Sequence, residues 1–368
     1  MKFQELQSWM EELAPLRYAY DWDNSGVNLY LHDDVERILV CLEVTPTVVE
    51  EAAALGCDTI VCHHPMVFRP IKGLRKADPV ENLVLAAVQA RCNVYAAHTS
   101  FDCAPKGMNA VLADKLGLTR QRLLAQERTD GFCKIVVFVP QEAAEKVKEA
   151  LFSAGAGGAG AYSRVSFSTP GTGEFFPGAG SHPARGRAGS LEQVPELRIE
   201  CMCPEGLAEK AAAAAREAHP YEEPAIDIIP LVYPKTPVGI GVVGELLEEM
   251  PLADFLAMAK EKLEAPLIRF SGTAETVRRV ACVGGAGGEF FPEARRAGAE
   301  VLLTGEAKYN HFADAAAMGI VLAEAGHYDT EKGFVDAVSH YLQKRINRVQ
   351  YIVHVHSSRK GERPYRVL

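Results

Sequence analysis

The sequence predicts an α/β protein made of two related α/β halves that form one domain, with a ferredoxin-like α+β domain inserted between them. Three observations lead there. The stretch RILVCLEVTPTVVEEAAALGCDTIVCHH, starting at Arg37, aligns without a gap over 28 positions with RVACVGGAGGEFFPEARRAGAEVLLTGE, starting at Arg279, and Gly56 falls on Gly298. Each copy reads as apolar strand, loop, helix, tight turn and apolar strand, the βαβ unit from which parallel sheets are built. Downstream of each copy an apolar strand ends in the same spacing, His98-x-x-x-Asp102 and His327-x-x-x-Glu331. The segment between the copies reads strand, helix, strand, strand, helix, strand, which is the ferredoxin-like order. The expected boundaries are 1–126 for the first half, 127–233 for the insert and 234–368 for the second half.

The chain begins with MKFQELQSWMEEL, an amphipathic helix rather than a signal peptide. The first repeat copy follows, and then NVYAAHTSFD, an apolar strand from Asn93 that runs into its histidine. In the insert, KIVVFVP is a strand and QEAAEKVKEALFSAG a helix. YSRVSFST and PELRIECMC are two further strands, joined by the glycine-rich loop GTGEFFPGAGSHPARGRAGS. LAEKAAAAAREAH is a second helix and AIDIIPLV a last strand. The second copy is followed by GIVLAEAGHYDTE, an apolar strand from Gly319.

Bulk properties narrow the function. Hydrophobic content of 48% and charged content of 24% over 368 residues suit a soluble globular protein. A net charge of −9 argues against a nucleic-acid partner, and no apolar run approaches the length of a membrane span. The nine cysteines include no CxxC pair. Several, such as Cys41, Cys62, Cys133 and Cys282, lie in apolar runs, and Cys201 and Cys203 share one face of a strand. Reduced, buried cysteine in a cytoplasmic protein is the expectation.

Chemistry concentrates at strand ends. In TIVCHHPMVF two histidines close an apolar run, and Pro65 stops regular pairing at once. At such an end both rings could reach one site, which they could not do inside a strand. Four strand ends carry polar groups: His63 and His64; His98 and Asp102; Thr304 and Glu306; His327 and Glu331. Ligands gather at the carboxyl ends of strands in open α/β sheets. Imidazole with carboxylate, and no committed thiolate, suits zinc, manganese or iron in a hydrolytic site. The set His63, His64, Asp102, His327 and Glu331 exceeds what one tetrahedral ion needs. Two divalent ions bridged by a carboxylate, roughly 3.5–4 Å apart, fit it better. Asp102 and Glu331 could instead cap helices, and Glu306 reads as a salt-bridge or cap residue. His98 stands beside the ligands as a proton shuttle or substrate contact, or as a residue orienting a ligand.

Two glycine motifs separate. GAGGAG, Gly155 to Gly160, matches G-x-G-x-x-G but follows a helical pattern, so it reads as a turn and not a dinucleotide fingerprint. VGGAGGEF follows a strand and precedes a helix. Gly284, Gly285, Gly287 and Gly288 are therefore either an anion cradle or a tight turn.

The stretches CLEVTPTVVEEA, CHHPMVFRPIKGL, YAAHTSFD, TGEAKYNHF and AGHYDTE resemble the GTP cyclohydrolase I type 2 homologue family, also known as the Ngg-interacting-factor-like family. DWDNSGVNLY near the start fits it too. GTGEFFPGAGSHPARGRAGSLEQVPELRIE and HPYEEPAIDI resemble the insert of its long bacterial members, so the resemblance covers nearly the whole chain. It implies a dinuclear metal centre held by His63, His64, Asp102, His327 and Glu331, with Glu331 bridging. It also implies a ring-shaped homohexamer whose inserts cap a central cavity, and an insert like small trimeric signalling or metal-tolerance domains. The chain departs from the family pattern at Glu43 and Glu306, where aspartate is expected. The resulting expectation is a metal-dependent hydrolase of a nucleotide-like or other small substrate, using a metal-bridging hydroxide. The alternative is a non-enzymatic metal-binding regulatory or chaperone-like protein. A nucleic-acid-associated factor is a third reading, against which the acidic balance counts.

Overall fold

A computed structural model describes residues 1–158, 162–233, 235–361 and 363–367. The protein is a mixed α/β structure with several sheets. It divides into two compact units, Met1–Glu127 with Val238–Leu368, and Arg128–Pro237.

The first unit holds two sheets. One has the strand order Gly26–Leu29, Asn93–Ala96, Thr59–Cys62, Arg37–Cys41, His354–Ser357. The other runs Arg269–Ser271, Val321–Glu324, Val301–Thr304, Thr276–Val283, Thr236–Pro251, Thr119–Asp130. In both, three central strands are parallel. Strands covered on both faces need apolar side chains on both, which is why TIVC and VLLT read as unbroken runs and are buried throughout.

The repeated sequence has a counterpart in the backbone. Ile38 pairs with Thr59 in the first sheet, and Val280 with Val301 in the second, the same register in the two aligned copies. Asp58 accepts from the amides of Glu36 and Arg37, and Glu300 accepts from those of Arg278 and Arg279. The helix of the first copy, Pro46–Leu55, is started by Thr45, whose side chain accepts from Val48 N, with Pro46 in its first turn. The second copy has less helix. After a 3₁₀ turn at Gly288–Phe290 only Phe291–Arg296 is α-helical, because Gly287 and Gly288 occupy the positions that would start it.

The opening helix, Phe3–Leu13, buries Phe3, Leu6, Trp9 and Met10 along one stripe. These pack with Phe334, Val338, Leu342 and Ile346 of the helix Gly333–Val349, over Ile38, Val40 and Val61. Each such side chain contributes about 1.5–3 kcal/mol by leaving water. Among the described residues, no helix is long and apolar enough to cross a membrane.

The second unit is an antiparallel sheet in the order Phe167–Phe175, Glu192–Pro204, Phe132–Pro140, Ile226–Pro230. The helices Ala144–Ser153 and Ala208–Ala218 share one core with it, and Cys133, Cys201 and Cys203 lie in that core. One expectation is corrected here. GTGEF was read as part of the long loop, but the strand Phe167–Phe175 runs through it, paired residue for residue with Glu192–Glu200, from Phe167 opposite Glu200 to Phe175 opposite Glu192. It tolerates Pro170 and two glycines because it is an edge strand, with only one side to satisfy. Of GAGGAG, Ala159 and Gly160 lie outside the described residues. Gly155 and Gly157 adopt positive φ in the turn after a helix. All nine cysteines are buried and none forms a disulfide.

Candidate metal centre

The Thr59–Cys62 strand ends where its histidines begin. His63 N donates to Cys41 O and Leu42 O, and His64 N also donates to Leu42 O, so the chain curls over the end of the neighbouring strand. In that curl adjacent rings no longer point to opposite faces. The His63 and His64 ring centroids lie 5.0 Å apart, and both face one cluster.

The other donors arrive on two short helices. Thr99–Asp102 follows His98, and His327–Glu331 starts with its own histidine. Residues i and i+4 of a helix share a face, so His327 Nε2 comes within 2.9 Å of Glu331 Oε2. Glu331 is the hub: Oε2 also lies 3.0 Å from His64 Nε2, and Oε1 lies 3.7 Å from His63 Nε2. Asp102 Oδ1 is 3.6 Å from the same His63 atom. Three overlapping groups result, each with its donor atoms within 4.8 Å of one another: His63, Asp102 and Glu331; His64, His327 and Glu331; His63, His64 and His98. Each could hold a metal ion.

The fit to a cation can be tested on single atoms. His63 Nδ1 lies 2.8 Å from the carbonyl of Ala97, which can only accept, so Nδ1 carries the proton and Nε2 a lone pair. That Nε2 is fully buried and has no hydrogen-bond partner. A buried nitrogen lone pair facing two carboxylates is costly with nothing between them. It is what a metal ligand requires.

The electrostatics agree. Burial pushes the His63 imidazolium down to about 4, so the ring stays neutral. Burial, reinforced by the charge of Glu331, raises the Asp102 carboxyl well above the carboxylate range. Burial would raise Glu331 too, but its bonds to His327 and His64, with the His63 ring close by, outweigh it and hold the carboxyl well below that range. Burial disfavours charge on His327 as well, yet the bond to Glu331 and its charge raise this ring to about 9. The sign of the pH effect follows. In metal-stripped protein the His327–Glu331 pair stabilises the fold fully below about pH 6.5 and loses that contribution as pH rises through about 9. Thermal unfolding of EDTA-treated protein is expected to show a stability loss across that window, and His327→Gln to flatten it. An equal loss in the variant would contradict the assignment.

Glu306 and Glu43 belong to none of the donor groups. Glu306 Oε1 sits 3.3 Å from His327 Nδ1, on the far side of the ring from Glu331, and orients it. Glu43 is exposed. The anion-cradle reading of the glycine loop is corrected. Gly284 N donates to Asn109 Oδ1, Gly285 N to Thr330 Oγ1, Gly287 N to Thr304 Oγ1 and Gly288 N to Glu306 O. All four glycine amides are thus turned to protein acceptors and not to an anion. Its glycines serve closeness instead. A Cβ on Gly285 would stand 2.2 Å from Glu331 Oε1.

Sequence reasoning passed over several residues here. Asn109 joins the halves of the site, donating from Nδ2 to Asp102 O while Oδ1 accepts from Gly284. Asp23 accepts from His98 Nδ1 at 2.7 Å. Burial opposes its charge, but the bonds from His98, Ser25 and Thr99 hold its carboxyl well below the usual range. Trp22, which is 60% exposed, and Phe68 each meet the His98 ring near edge-on, with centroids 6.1 Å away. On the other side, a cavity of about 710 Å³ begins at His327 and Glu306 and is lined by Leu267, Arg269, Lys308 and Tyr365.

A model of the Duf34/NIF3 (NGG1p interacting factor 3) family matches residues 1–364. The chain belongs to that family. Among its Duf34/NIF3 relatives, the "GTP cyclohydrolase 1 type 2 homolog" of Halalkalibacterium halodurans is 37% identical over 357 residues, 96% of each chain. The protein of the same name from Bacillus subtilis is 35% identical over 367 residues, covering 99% of this chain and 98% of its own. A crystal structure of a Bacillus cereus protein related to NIF3 superposes with a TM-score of 0.78 at 35% identity, over 100% of this chain and 99% of that one.

Proposed function

We propose that this Duf34/NIF3 protein is a dinuclear metal-dependent hydrolase of a nucleotide-like or other small substrate. The observation that carries the reading is His63 Nε2, a buried lone pair without a partner, placed between Asp102 and Glu331. His63, Asp102 and Glu331 would hold one divalent ion, and His64, His327 and Glu331 the other, with Glu331 shared. Zinc, manganese or iron suits this donor set. Bound there, such ions supply Lewis acidity and bring the pKa of water toward neutrality.

The chain's own residues do the rest. Glu331 aligns the imidazoles, and Glu306 fixes the His327 ring from behind. Arg269 is held by Glu324 through bonds of 2.7 and 2.6 Å, and Lys308 adds a second cationic side chain to the cavity wall. Trp22 and Phe68 offer an exposed aromatic surface beside His98 for a planar group of the substrate. Trp22→Ala is expected to raise KM about tenfold with kcat little changed, the size of a lost aromatic stack. A fall in kcat at constant KM would contradict a substrate-binding role.

The finer architecture belongs to the same proposal. We read the first unit as two related halves meeting at the metal pair, supported by their shared strand registers. We read the insert as ferredoxin-like, supported by its strand order. A cytoplasmic homohexamer is proposed by family resemblance, and light scattering on the purified protein tests the assembly.

The experiment is an unbiased substrate screen. Protein loaded separately with zinc, manganese and iron is incubated with GTP and other nucleotides, and products are read by mass spectrometry beside a Glu331→Ala control. Metal-dependent turnover absent from the control supports the hydrolase. No turnover with two ions still bound would overturn it in favour of a regulatory metal-binding protein.

A further inference from the structure

The loop that carries Asp23 is tied to His98 more thoroughly than a surface turn needs. Asp23 Oδ1 accepts from His98 Nδ1 at 2.7 Å. Its Oδ2 takes three more bonds, from Ser25 Oγ at 2.6 Å, Thr99 Oγ1 at 2.6 Å and Thr99 N at 3.1 Å. Ser25 Oγ in turn accepts from the backbone N–H of His98, and Thr99 Oγ1 from that of Tyr20. The Asp23 side chain is fully buried. Burying a carboxylate is expensive unless its oxygens are satisfied, and here five donors satisfy them, the backbone N–H of Asn24 at Oδ1 being the fifth.

The result is a fixed ring. A carboxylate can only accept, so His98 carries its proton on Nδ1 and a lone pair on Nε2. His98 donates its ligand atom to the group it forms with His63 and His64, all within 4.8 Å. With Nδ1 committed to Asp23, Nε2 is the atom that faces them. His63 is held in the same tautomer, but by the neutral carbonyl of Ala97. A carboxylate on the far nitrogen makes an imidazole a better donor than a carbonyl does.

We propose that Asp23 is a positioning residue that presents His98 Nε2 as a further metal ligand, beside His63 and His64. This rests on the metal-centre reading given above, and it gives His98 a different duty from the proton shuttle or substrate contact expected from sequence. It also draws the DWDNSG loop, 75 residues away in the chain, into the metal site. Trp22 of that loop then packs against a ligand, so metal binding and the aromatic surface are coupled through one short segment.

Zinc is the probe. In crystals of the zinc-loaded wild-type chain, anomalous scattering is expected to place an ion about 2.0–2.1 Å from His98 Nε2. By calorimetry, Asp23→Asn is expected to weaken zinc binding about 10–100-fold at unchanged circular dichroism, as losses of such orienting partners do. Zinc bound by His63 and His64 with His98 Nε2 out of coordinating distance would overturn the proposal, as would an Asp23→Asn chain that binds zinc as tightly as wild type. If Asp23→Asn does not fold, the wild-type crystal alone decides. A wild-type chain that binds no zinc, manganese or iron would overturn the metal centre itself, a result distinct from zinc bound without His98.

Discussion

Glu331→Ala is expected to empty the metal centre, with metal affinity falling by more than about 100-fold, beyond the range seen when only an orienting partner is removed. The reason is geometric. Glu331 is 3% exposed and stands within 3.0 Å of both His64 and His327, and within 3.7 Å of His63. Of the three donor groups it belongs to two, and without it only the three-imidazole group remains whole. Asp102 alone cannot balance two divalent ions in a buried site. The change has a second signature that needs no metal. His327 owes its elevation to about 9 to Glu331 first and Glu306 second, so in the variant its titration should move back toward the ordinary histidine range. Elemental analysis after dialysis reads the first effect and an NMR titration of the ring reads the second. A variant that keeps two tightly bound ions would contradict the role given to Glu331.

Gly285→Ala is expected to damage the site almost as much, although glycine is no ligand. Its φ of +61° is in the left-handed region, and the added Cβ would lie 2.2 Å from Glu331 Oε1 and 3.2 Å from His327 Nε2. The conformational cost is about 1–3 kcal/mol. The clash adds a displacement of the central carboxylate, so metal affinity falls with stability. Gly319→Ala separates the two effects. That residue also has positive φ, at +69°, but nothing lies within 4 Å of its Cβ. Denaturant unfolding in EDTA should show both variants destabilised, and zinc titration should show only Gly285→Ala impaired. Unimpaired zinc binding by Gly285→Ala would mean that the carboxylate can move freely.

The parts of this structure that could be read from sequence are those governed by short-range rules. Parallel strands covered on both faces produce unbroken apolar runs, so TIVC and VLLT announce themselves. Thr45 followed by Pro46 marks a helix start. The histidines were legible because a strand end concentrates them, with Pro65 stopping the ladder. The registers of the two copies then agree because equivalent apolar residues have equivalent partners.

What stayed hidden depends on contacts distant in sequence. VGGAGGEF looks like an anion cradle until Asn109, Thr304 and Thr330 are seen to take its amides, and Asn109 lies 175 residues away from its glycine. No local signal distinguishes Asn109 from any polar residue on a helix. Asp23 stood in a recognisable stretch, DWDNSG, but its role appears only when the loop closes on His98. The strand Phe167–Phe175 was missed because glycine and proline speak for a loop locally, while pairing with Glu192–Pro204 outweighs them. Local propensity lost to tertiary pairing there.

The measurement that bears most directly on the account is the number of metal ions per chain. Wild-type protein purified without added chelator, and the same protein reloaded after EDTA, would be analysed by elemental mass spectrometry against protein concentration. The expected result is two transition-metal ions per chain, one held with His63 and Asp102 and one with His64 and His327. A chain that holds one ion or none under saturating zinc, manganese and iron would contradict a dinuclear centre.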